Sequence, residues 1–174
     1  FPDSFTSYFD LLDFITSHFA ILETTIRSSG DNVLPNVYTG ILTLVLLPLF
    51  LINDKISLKE KATYVLLMIF FIFSFNNNCA NYIWHALHFP NDLPYRFSYM
   101  YSFIIAVMGY KTLINFKAIK VKDIVYSGLG IIAIVIVTQK FLTNKMTNNT
   151  IYATIILVAL WCGYLLVAKN KNIQ

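Results

Sequence analysis

Residues 151–168 read IYATIILVALWCGYLLVA, eighteen consecutive residues without a charged side chain. A helix needs about 20 apolar residues to cross the hydrocarbon core of a bilayer, so this run has nearly the length of one membrane span. Four further apolar runs precede it, at residues 37–52, 62–75, 97–113 and 124–138. The sequence therefore predicts an all-α fold, a polytopic membrane bundle of about five transmembrane helices.

The composition favours the same environment. Hydrophobic residues make up 57% of the 174 residues, and the mean hydropathy is +0.63. Charged residues make up only 13%, against roughly 25% in soluble domains. Five such runs packed into a soluble protein would leave too little polar surface to cover them. The net charge of +4 does not indicate nucleic acid binding, because the basic residues lie between the apolar runs rather than on one stripe. We expect the lipid bilayer as a partner, and no nucleic acid.

Lysine residues are concentrated in alternate loops between the apolar runs. Nine basic residues fall on one predicted face of the membrane: Lys55, Lys59, Lys61, Lys111, Lys117, Lys120, Lys122, Lys169 and Lys171. The other face has four: Arg27, Arg96, Lys140 and Lys145. Because cytoplasmic loops carry an excess of Lys and Arg, we expect a multi-pass plasma-membrane protein with the N-terminus of this chain outside and its C-terminus in the cytoplasm.

The residues before the first apolar run predict an outer amphipathic helix. Apolar residues recur there at the three- and four-residue spacing of one helix face: Phe5, Tyr8, Phe9, Leu12, Ile15, Phe19 and Leu22. Polar residues fall largely off this stripe: Asp10, Asp13, Thr16, Ser17 and Glu23. We expect residues 1–36 to form an extracytoplasmic amphipathic segment on the membrane surface. Residues 37–174 are expected to form the transmembrane bundle of five helices, with an outer loop at 76–96.

Three smaller features concern packing and chain length. Cys79 is expected outside and Cys162 in the inner half of a helix, so the two should be free thiols. Gly128 and Gly130 lie near the start of the fourth run and would permit close contact with a neighbouring helix. The chain begins at Phe1 rather than at methionine, and we expect it to be an interior or C-terminal piece of a longer protein.

The outer loop, residues 76–96, reads NNNCANYIWHALHFPNDLPYR and is the richest polar segment. His85 and His88 would share one face of a helical turn at i, i+3. Three interpretations of this pair compete: a metal site, a polar substrate site at the water interface, or interfacial residues that satisfy one another. Because Asp92 is the only further ligand close in sequence, we expect no metal and no other cofactor.

Basic side chains on the outer face also have two interpretations each. Arg96 stands where the chain re-enters the membrane, and its guanidinium can bind a phosphate through two parallel hydrogen bonds. The alternative is an ordinary headgroup anchor that extends to the interface and does nothing else. Glu23 and Arg27 are spaced i, i+4, which favours a solvated helix pair over a catalytic dyad.

The stretch NYIWHALHFPNDLPYRFSYMYSF, residues 81–103, resembles a signature stretch of the YfhO family of bacterial membrane proteins. Residues 14–50 also resemble the region of that family just upstream. The likeness covers roughly residues 5–116, and the last two apolar runs match only in hydrophobic character. The long run WHxxHFPNxxPYRF is the most specific part of the resemblance.

What the resemblance implies is an extracytoplasmic enzyme. Family members are large polytopic proteins of Gram-positive bacteria that resemble GT-C-type glycosyltransferases and are linked to adding sugars to lipoteichoic acid, a cell-wall polymer. The implied partners are a polyprenyl-phosphate sugar donor and a teichoic acid acceptor. In this fold type an acidic residue of the first outer loop usually serves as base or metal-linked site. That loop is expected upstream of Phe1, so this piece is expected to lack the main catalytic acid.

The resemblance also suggests roles for the outer residues. His85 and His88 are the catalytic candidates, which would hydrogen-bond phosphate or sugar, with one as a proton donor. The substrate-binding candidates are Arg96 for the leaving phosphate, Trp84 or Tyr95 for stacking on a sugar, Asp92 for orientation, and Glu23 and Arg27. One alternative is a transporter or flippase for the lipid carrier or a solute, which should carry ionisable residues at mid-membrane depth. None lies at that depth in the five runs, and a purely structural assembly partner is the third possibility.

Overall fold

The computed structural model describes residues 2, 4–23, 33–89, 92, 95–142 and 146–171. Within these ranges the protein is all-helical, with seven α-helices and one 3-10 turn at Phe116–Ala118. The helices are α1 (Leu11–Thr16), α2 (Ile41–Ile52), α3 (Leu58–Asn76), α4 (Asn78–Trp84), α5 (Ser98–Ile114), α6 (Val121–Phe141) and α7 (Asn148–Asn170). Five of them overlap the five apolar runs, so the predicted all-α class is confirmed.

Two helices in the described part of the chain, α6 and α7, are long and apolar enough to cross a membrane. They have 21 and 23 residues, and their most apolar windows have mean hydropathies of 1.9 and 2.2. Only 33% and 28% of those windows are buried inside the protein. A core helix of a soluble protein would bury most of such a surface. The uncovered apolar side chains therefore favour lipid as their surroundings.

The short helix α2 lies at the centre of the bundle. It packs against α5, α6 and α7, and its Val45, Leu49 and Phe50 have no exposed surface. The predicted run began at residue 37, but the helix begins at Ile41. Gly40 precedes it with φ +90°, a left-handed conformation that glycine adopts without steric cost and that a helix does not contain. Because its neighbours surround it, α2 does not need the length of a lipid-exposed span.

The loops that carry most lysines meet at one end of the bundle, which we call the lysine-rich end. It is formed by the last turns of α2, α5 and α7 and the first turns of α3 and α6. Asn53 donates a side-chain hydrogen bond to the Asn115 carbonyl (3.1 Å), which joins the α2 and α5 ends. Lys111 of α5 forms an ion pair with Glu60 of α3. The alternation of helix directions predicted from the sequence is consistent with these contacts.

Residues 4–23, which we call the cap segment, cross the opposite end of the bundle. The cap segment begins against the end of α3, where the Tyr8 amide donates to the Asn76 carbonyl (3.0 Å). It ends against α7, where the Ala20 amide donates to the Thr154 hydroxyl (3.0 Å). The Thr150 hydroxyl also donates to the Ile21 carbonyl (3.3 Å). The cap segment thus covers the end of α3 and the start of α7, and we call this the capped end.

The prediction of an outer amphipathic helix was wrong in extent and partly wrong in orientation. Only Leu11–Thr16 is helical, and three of the five residues expected on the polar face are buried: Asp13 is 2%, Thr16 2% and Ser17 5% exposed, whereas Asp10 and Glu23 are exposed as expected. Phe5, expected on the apolar stripe, is 76% exposed. The cap segment packs Phe9, Phe14 and Phe19 into the apolar core. Its backbone also bonds the Asn76 carbonyl and the Thr150 and Thr154 hydroxyls near the helix ends, where such groups need polar partners.

The glycine prediction is confirmed at one of its two positions. A Cβ added at Gly128 would lie 2.6 Å from the Cys162 sulfur of α7, whereas a Cβ at Gly130 would meet nothing within 4 Å. Gly128 therefore permits the close approach of α6 and α7. Cys79 and Cys162 are both free thiols, as predicted.

We expect Gly128→Ala to lower the free energy of unfolding by about 1–3 kcal/mol, because the added methyl overpacks the contact with Cys162. Thermal unfolding in detergent measures the loss, with Gly130→Ala as the control that changes nothing. Adding Cys162→Ala to Gly128→Ala should restore part of the loss when compared with Cys162→Ala alone. Equal effects of the two glycine replacements would contradict this packing.

Candidate functional site

Three consecutive asparagines organise the start of the outer loop. Asn76 Oδ1 accepts hydrogen bonds from the amides of Tyr8 (3.0 Å) and Phe9 (2.9 Å) in the cap segment. Asn77 caps α4 by accepting from the amides of Cys79 (3.0 Å) and Ala80 (3.1 Å). These structural roles were not assigned from the sequence. The signal was an asparagine run at a helix end, where short amides commonly bind backbone groups.

Asn78 completes the attachment of the cap segment. Its Oδ1 accepts from the Thr6 amide (3.0 Å), and its Nδ2 donates to the Ser4 carbonyl (2.7 Å). Its side chain is 8% exposed. A buried amide that fills both its donor and acceptor roles resists displacement, because a lost partner would leave a polar group without water. The asparagine run therefore fixes the cap segment beside the candidate site.

The two candidate catalytic histidines do not share a helix face, so that prediction was wrong. Helix α4 ends at Trp84, and Ala86 and Leu87 follow with φ of 55° and 61°. These left-handed residues redirect the chain between the histidines, and the Leu87 amide donates to the Tyr82 carbonyl (3.0 Å). His85 is half-buried and His88 is exposed. The sequence carries no glycine here that would have signalled the turn.

His85 is the oriented member of the pair. Its Nδ1 lies 2.8 Å from the Asn81 carbonyl oxygen. Because a carbonyl only accepts, Nδ1 must carry the proton, and Nε2 of the neutral ring is then an acceptor. The ring also approaches Phe97 at a steep angle, with 6.3 Å between the centroids. The contacts of His85 therefore fix its tautomer and leave Nε2 as the chemically useful atom.

Arg96 is exposed, but its backbone is fixed on both sides. Its neighbours Tyr95 and Phe97 are 7% and 6% exposed. The Ser98 amide donates to the Tyr95 carbonyl (2.9 Å), and α5 begins at Ser98. The Arg96 side chain therefore starts one residue before the N-cap of the 17-residue helix α5, whose N-terminus is itself electropositive. This combination favours an anion at Arg96.

The two aromatic candidates both belong to the aromatic packing under the loop. Trp84 stacks on Phe97 with centroids 4.6 Å apart and an interplanar angle of 11°, and it lies 5.9 Å from Phe71. It keeps 38% of its surface exposed. The Phe97 contact joins the end of α4 to the start of α5, which brings His85 and Arg96 to the same part of the capped end.

Tyr95 is a packing residue rather than a free ring. It makes edge contacts of 6.0–6.4 Å between centroids with three rings: Tyr8, Phe9 and Phe75. Burial raises the pKa of its phenol above the ordinary value, with a smaller contribution from Tyr8. The ring offers no exposed face on which a sugar could stack. Its contacts with the cap segment instead hold the backbone next to Arg96.

The remaining substrate-binding candidates are Asp92, Glu23 and Arg27, and the structure shows less of their surroundings. Asp92 is half-buried, and Arg27 lies outside the described residues, so the Glu23–Arg27 pair stays a prediction. Glu23 is exposed and lines a cavity of about 210 Å³ between the cap segment and residues 34–38. Ser17 also lines it, and its buried Oγ has no hydrogen-bond partner within the described part of the chain. This cavity offers a carboxylate and a hydroxyl beside apolar walls.

His18 is a half-buried polar residue that is not among the predicted site residues. Its Nδ1 lies 3.3 Å from the Ile15 carbonyl, and its Nε2 lies 3.2 Å from the Tyr101 hydroxyl of α5. Burial lowers the pKa of His18 from 6.5 to about 4, although the backbone hydrogen bonds favour the proton. The ring is therefore neutral at physiological pH and links the cap segment to α5.

The depressed pKa of His18 predicts acid sensitivity of the cap segment. The unfolded chain binds a proton near pH 6.5 and the folded chain only near pH 4, so stability is lost as the pH falls through this window. We expect a loss of roughly 1–2 kcal/mol between pH 7.5 and pH 5. Melting temperatures of wild type and His18→Gln at both pH values measure it. His18→Gln should lose most of the dependence and His88→Gln, at an exposed ring, should keep it. An unchanged pH dependence in His18→Gln would refute this role.

The described residues contain no group of three or more His, Cys, Asp or Glu side chains that could hold a metal ion. The histidines are separated by the left-handed turn. What the loop does bring together is an oriented imidazole, an exposed guanidinium on a fixed backbone, and the N-terminus of α5. These groups can bind a phosphate and accept or donate a proton beside it.

Comparison with known proteins extends the resemblance seen in the outer loop. The model of the family described as bacterial membrane protein YfhO matches residues 2–174. The match includes α6 and α7. In the sequence analysis, the corresponding apolar runs resembled the family only in their hydrophobic character. No curated protein and no solved structure matches the chain. Because the family match spans nearly all of its length, this chain belongs to the YfhO family of bacterial membrane proteins.

Proposed function

We propose that this chain is part of an extracytoplasmic glycosyltransferase of GT-C type. It takes sugar from a polyprenyl-phosphate carrier and transfers it to lipoteichoic acid. The observation that carries the proposal is the exposed Arg96, which stands just before α5 between the buried Tyr95 and Phe97, while the Phe97 ring contacts His85. Membership of the YfhO family supports a membrane setting for this chemistry.

The proposed arrangement in the bilayer has five spans, α2, α3, α5, α6 and α7. Large apolar side chains on the outer faces of α3 and α5 support this: Leu66, Ile69, Phe70, Phe73, Tyr99 and Phe103 are all more than half exposed. The lysine-rich end lies in the cytoplasm and the capped end outside, by the positive-inside rule. The carrier phosphate then meets Arg96 at the membrane–water boundary, with its prenyl tail in lipid.

In the transfer step, the bond between the sugar carbon and the carrier phosphate breaks as an acceptor hydroxyl attacks. Negative charge grows on the departing phosphate, where Arg96 and the α5 N-terminus stabilise it. His85 Nε2 takes the proton of the attacking hydroxyl, alone or as a relay to the acidic residue that the family resemblance implies elsewhere. His88 hydrogen-bonds phosphate or sugar, and Asp92 orients His88 or Arg96.

The cavity beside the cap segment supplies a place for sugar or acceptor hydroxyls. Glu23 accepts hydrogen bonds there, and the buried Ser17 hydroxyl gains a partner that the described residues do not supply. Its volume of about 210 Å³ lies below that of sites for drug-sized ligands, which suits a single sugar unit or a short polyol. Arg27 is proposed to pair with Glu23 at its edge. Trp84, with its partly exposed ring, is proposed to contact the sugar.

A reconstituted reaction tests the proposed function. Full-length protein in vesicles receives a polyprenyl-phosphate donor with a radiolabelled sugar, together with lipoteichoic acid on the side of the capped end. We expect label on the acceptor. Label that crosses the bilayer on the carrier without transfer would overturn the proposal in favour of the alternative, a transporter or flippase for the lipid carrier or a solute.

A further inference from the structure

A second cavity lies at the lysine-rich end, away from the candidate transferase site. It has a volume of about 370 Å³ and lies between the end of α5, the 3-10 turn and the last turns of α7. The residues that line it are mostly apolar, and three of these side chains are exposed: Leu113 is 42%, Ile114 61% and Tyr164 61% exposed. The cavity is therefore open on the side of the bundle where α5 and α7 would face lipid.

Two lysines supply positive charge to this cavity. Lys117 lines it and is exposed. The Lys169 ammonium donates to the Lys117 carbonyl (2.7 Å) and lies 5.8 Å from the centre of the Phe116 ring. An ammonium has three donors, so Lys169 keeps two for another acceptor while these contacts hold it in place.

In the part of the chain that the structure describes, neighbouring carboxylates do not neutralise this pair. Glu60 is engaged by Lys111, and Asp123 accepts from the Lys120 amide at the start of α6 (3.0 Å). Within the described part of the chain, neither Lys117 nor Lys169 has an acidic partner. The two lysines thus place positive charge beside an apolar wall at the level where the helices end. An anion with an apolar tail would fit both features.

We propose that this cavity binds an anionic phospholipid. The lipid phosphate lies between the ammonium groups of Lys117 and Lys169, and an acyl chain follows Leu113, Ile114 and Tyr164. Free phosphate would use the lysines but not the apolar wall, and a zwitterionic lipid would bring a positive group to a positive site. The inference requires α5 and α7 to lie in a bilayer. It depends neither on glycosyl transfer nor on which side is cytoplasmic.

The experiment measures lipid binding to the full-length protein by native mass spectrometry, with phosphatidylglycerol and phosphatidylcholine as probes. We expect preferential retention of phosphatidylglycerol and a loss of about tenfold or more in its affinity in Lys117→Gln/Lys169→Gln. The control Lys55→Gln/Lys59→Gln removes the same charge at the same end, from exposed positions that do not line the cavity. It should bind like wild type.

Three outcomes would overturn the proposal. The first is wild-type phosphatidylglycerol affinity in Lys117→Gln/Lys169→Gln. The second is an equal loss in the control pair, which would show only an unspecific effect of charge. The third is displacement of the lipid by millimolar inorganic phosphate, which would indicate a free-phosphate site instead. An unchanged melting temperature in phosphatidylcholine shows that the double variant is folded, and sugar transfer in the same samples reports separately on the proposed function.

Discussion

Replacing Arg96 with alanine is expected to lower sugar transfer to lipoteichoic acid by about 100-fold or more, the range seen when one preorganised charge donor is removed from a transition state. The guanidinium is exposed while its two neighbours are buried, so its loss should leave the packing of the loop intact. The sugar content of lipoteichoic acid in cells that carry only the variant of the full-length protein measures the effect.

Two further variants make this result specific. Arg96→Lys keeps the charge but not the two parallel hydrogen bonds, and we expect an intermediate loss of about tenfold. Lys140→Ala removes another exposed cation, from the last turn of α6, and should leave transfer unchanged. Wild-type glycosylation in Arg96→Ala, at normal protein levels, would remove Arg96 from the mechanism and leave it as a headgroup anchor.

Replacing His85 with asparagine is expected to lower transfer by about 100-fold while the protein stays folded. The asparagine amide can replace Nδ1–H as donor to the Asn81 carbonyl, but it has nothing in the place of Nε2. His85→Gln has an amide near the position of Nε2, yet an amide cannot take a proton at neutral pH, so it should be similarly inactive.

The position of His88 provides the comparison for His85. Its ring is exposed and lies beyond the left-handed turn, so we expect His88→Asn to cost less than tenfold. In vitro transfer rates at saturating donor, together with melting temperatures, separate the two effects. Wild-type transfer in His85→Asn would show that Nε2 takes no part in the reaction, and a lower melting temperature with normal transfer would leave His85 only a structural role.

The helices could be predicted from the sequence because their signal is local. A run of apolar residues long enough to span lipid gives a helix whatever its neighbours do, since lipid leaves the backbone no other partners. Boundaries were harder to predict. The start of α2 at Ile41 depends on the left-handed Gly40, and the start of α3 at Leu58 depends on Ser57, whose hydroxyl accepts from the Glu60 amide. Neither Gly40 nor Ser57 contributes to the pattern of apolar residues from which the helices were predicted.

The cap segment could not be predicted, because its contacts are far apart in the chain. Asn78 binds backbone groups of residues 4–6 at separations of more than 70 residues, and Ala20 reaches Thr154. The helical period in residues 5–22 therefore gave the buried face only in part: Phe9 and Phe19 are buried, but so are Asp13 and Thr16. The same limit applies to the site, where Tyr95 was a candidate for stacking on a sugar although Phe9 and Phe75 bury its ring. The exposure of Arg96 could be predicted because it follows from the charge of the side chain.

The proposed transferase requires Arg96 and His85 to lie outside the cell. The most direct test determines the side of the membrane on which the outer loop lies. In a Cys79→Ala/Cys162→Ala background, one cysteine replaces His88 in the loop and, in a second variant, one replaces Lys122 at the lysine-rich end; both positions are exposed. A membrane-impermeant maleimide is added to intact cells. We expect labelling at position 88 without permeabilisation and at position 122 only after it. Labelling at 122 but not at 88 in intact cells would put Arg96 and His85 in the cytoplasm and contradict the proposed transferase.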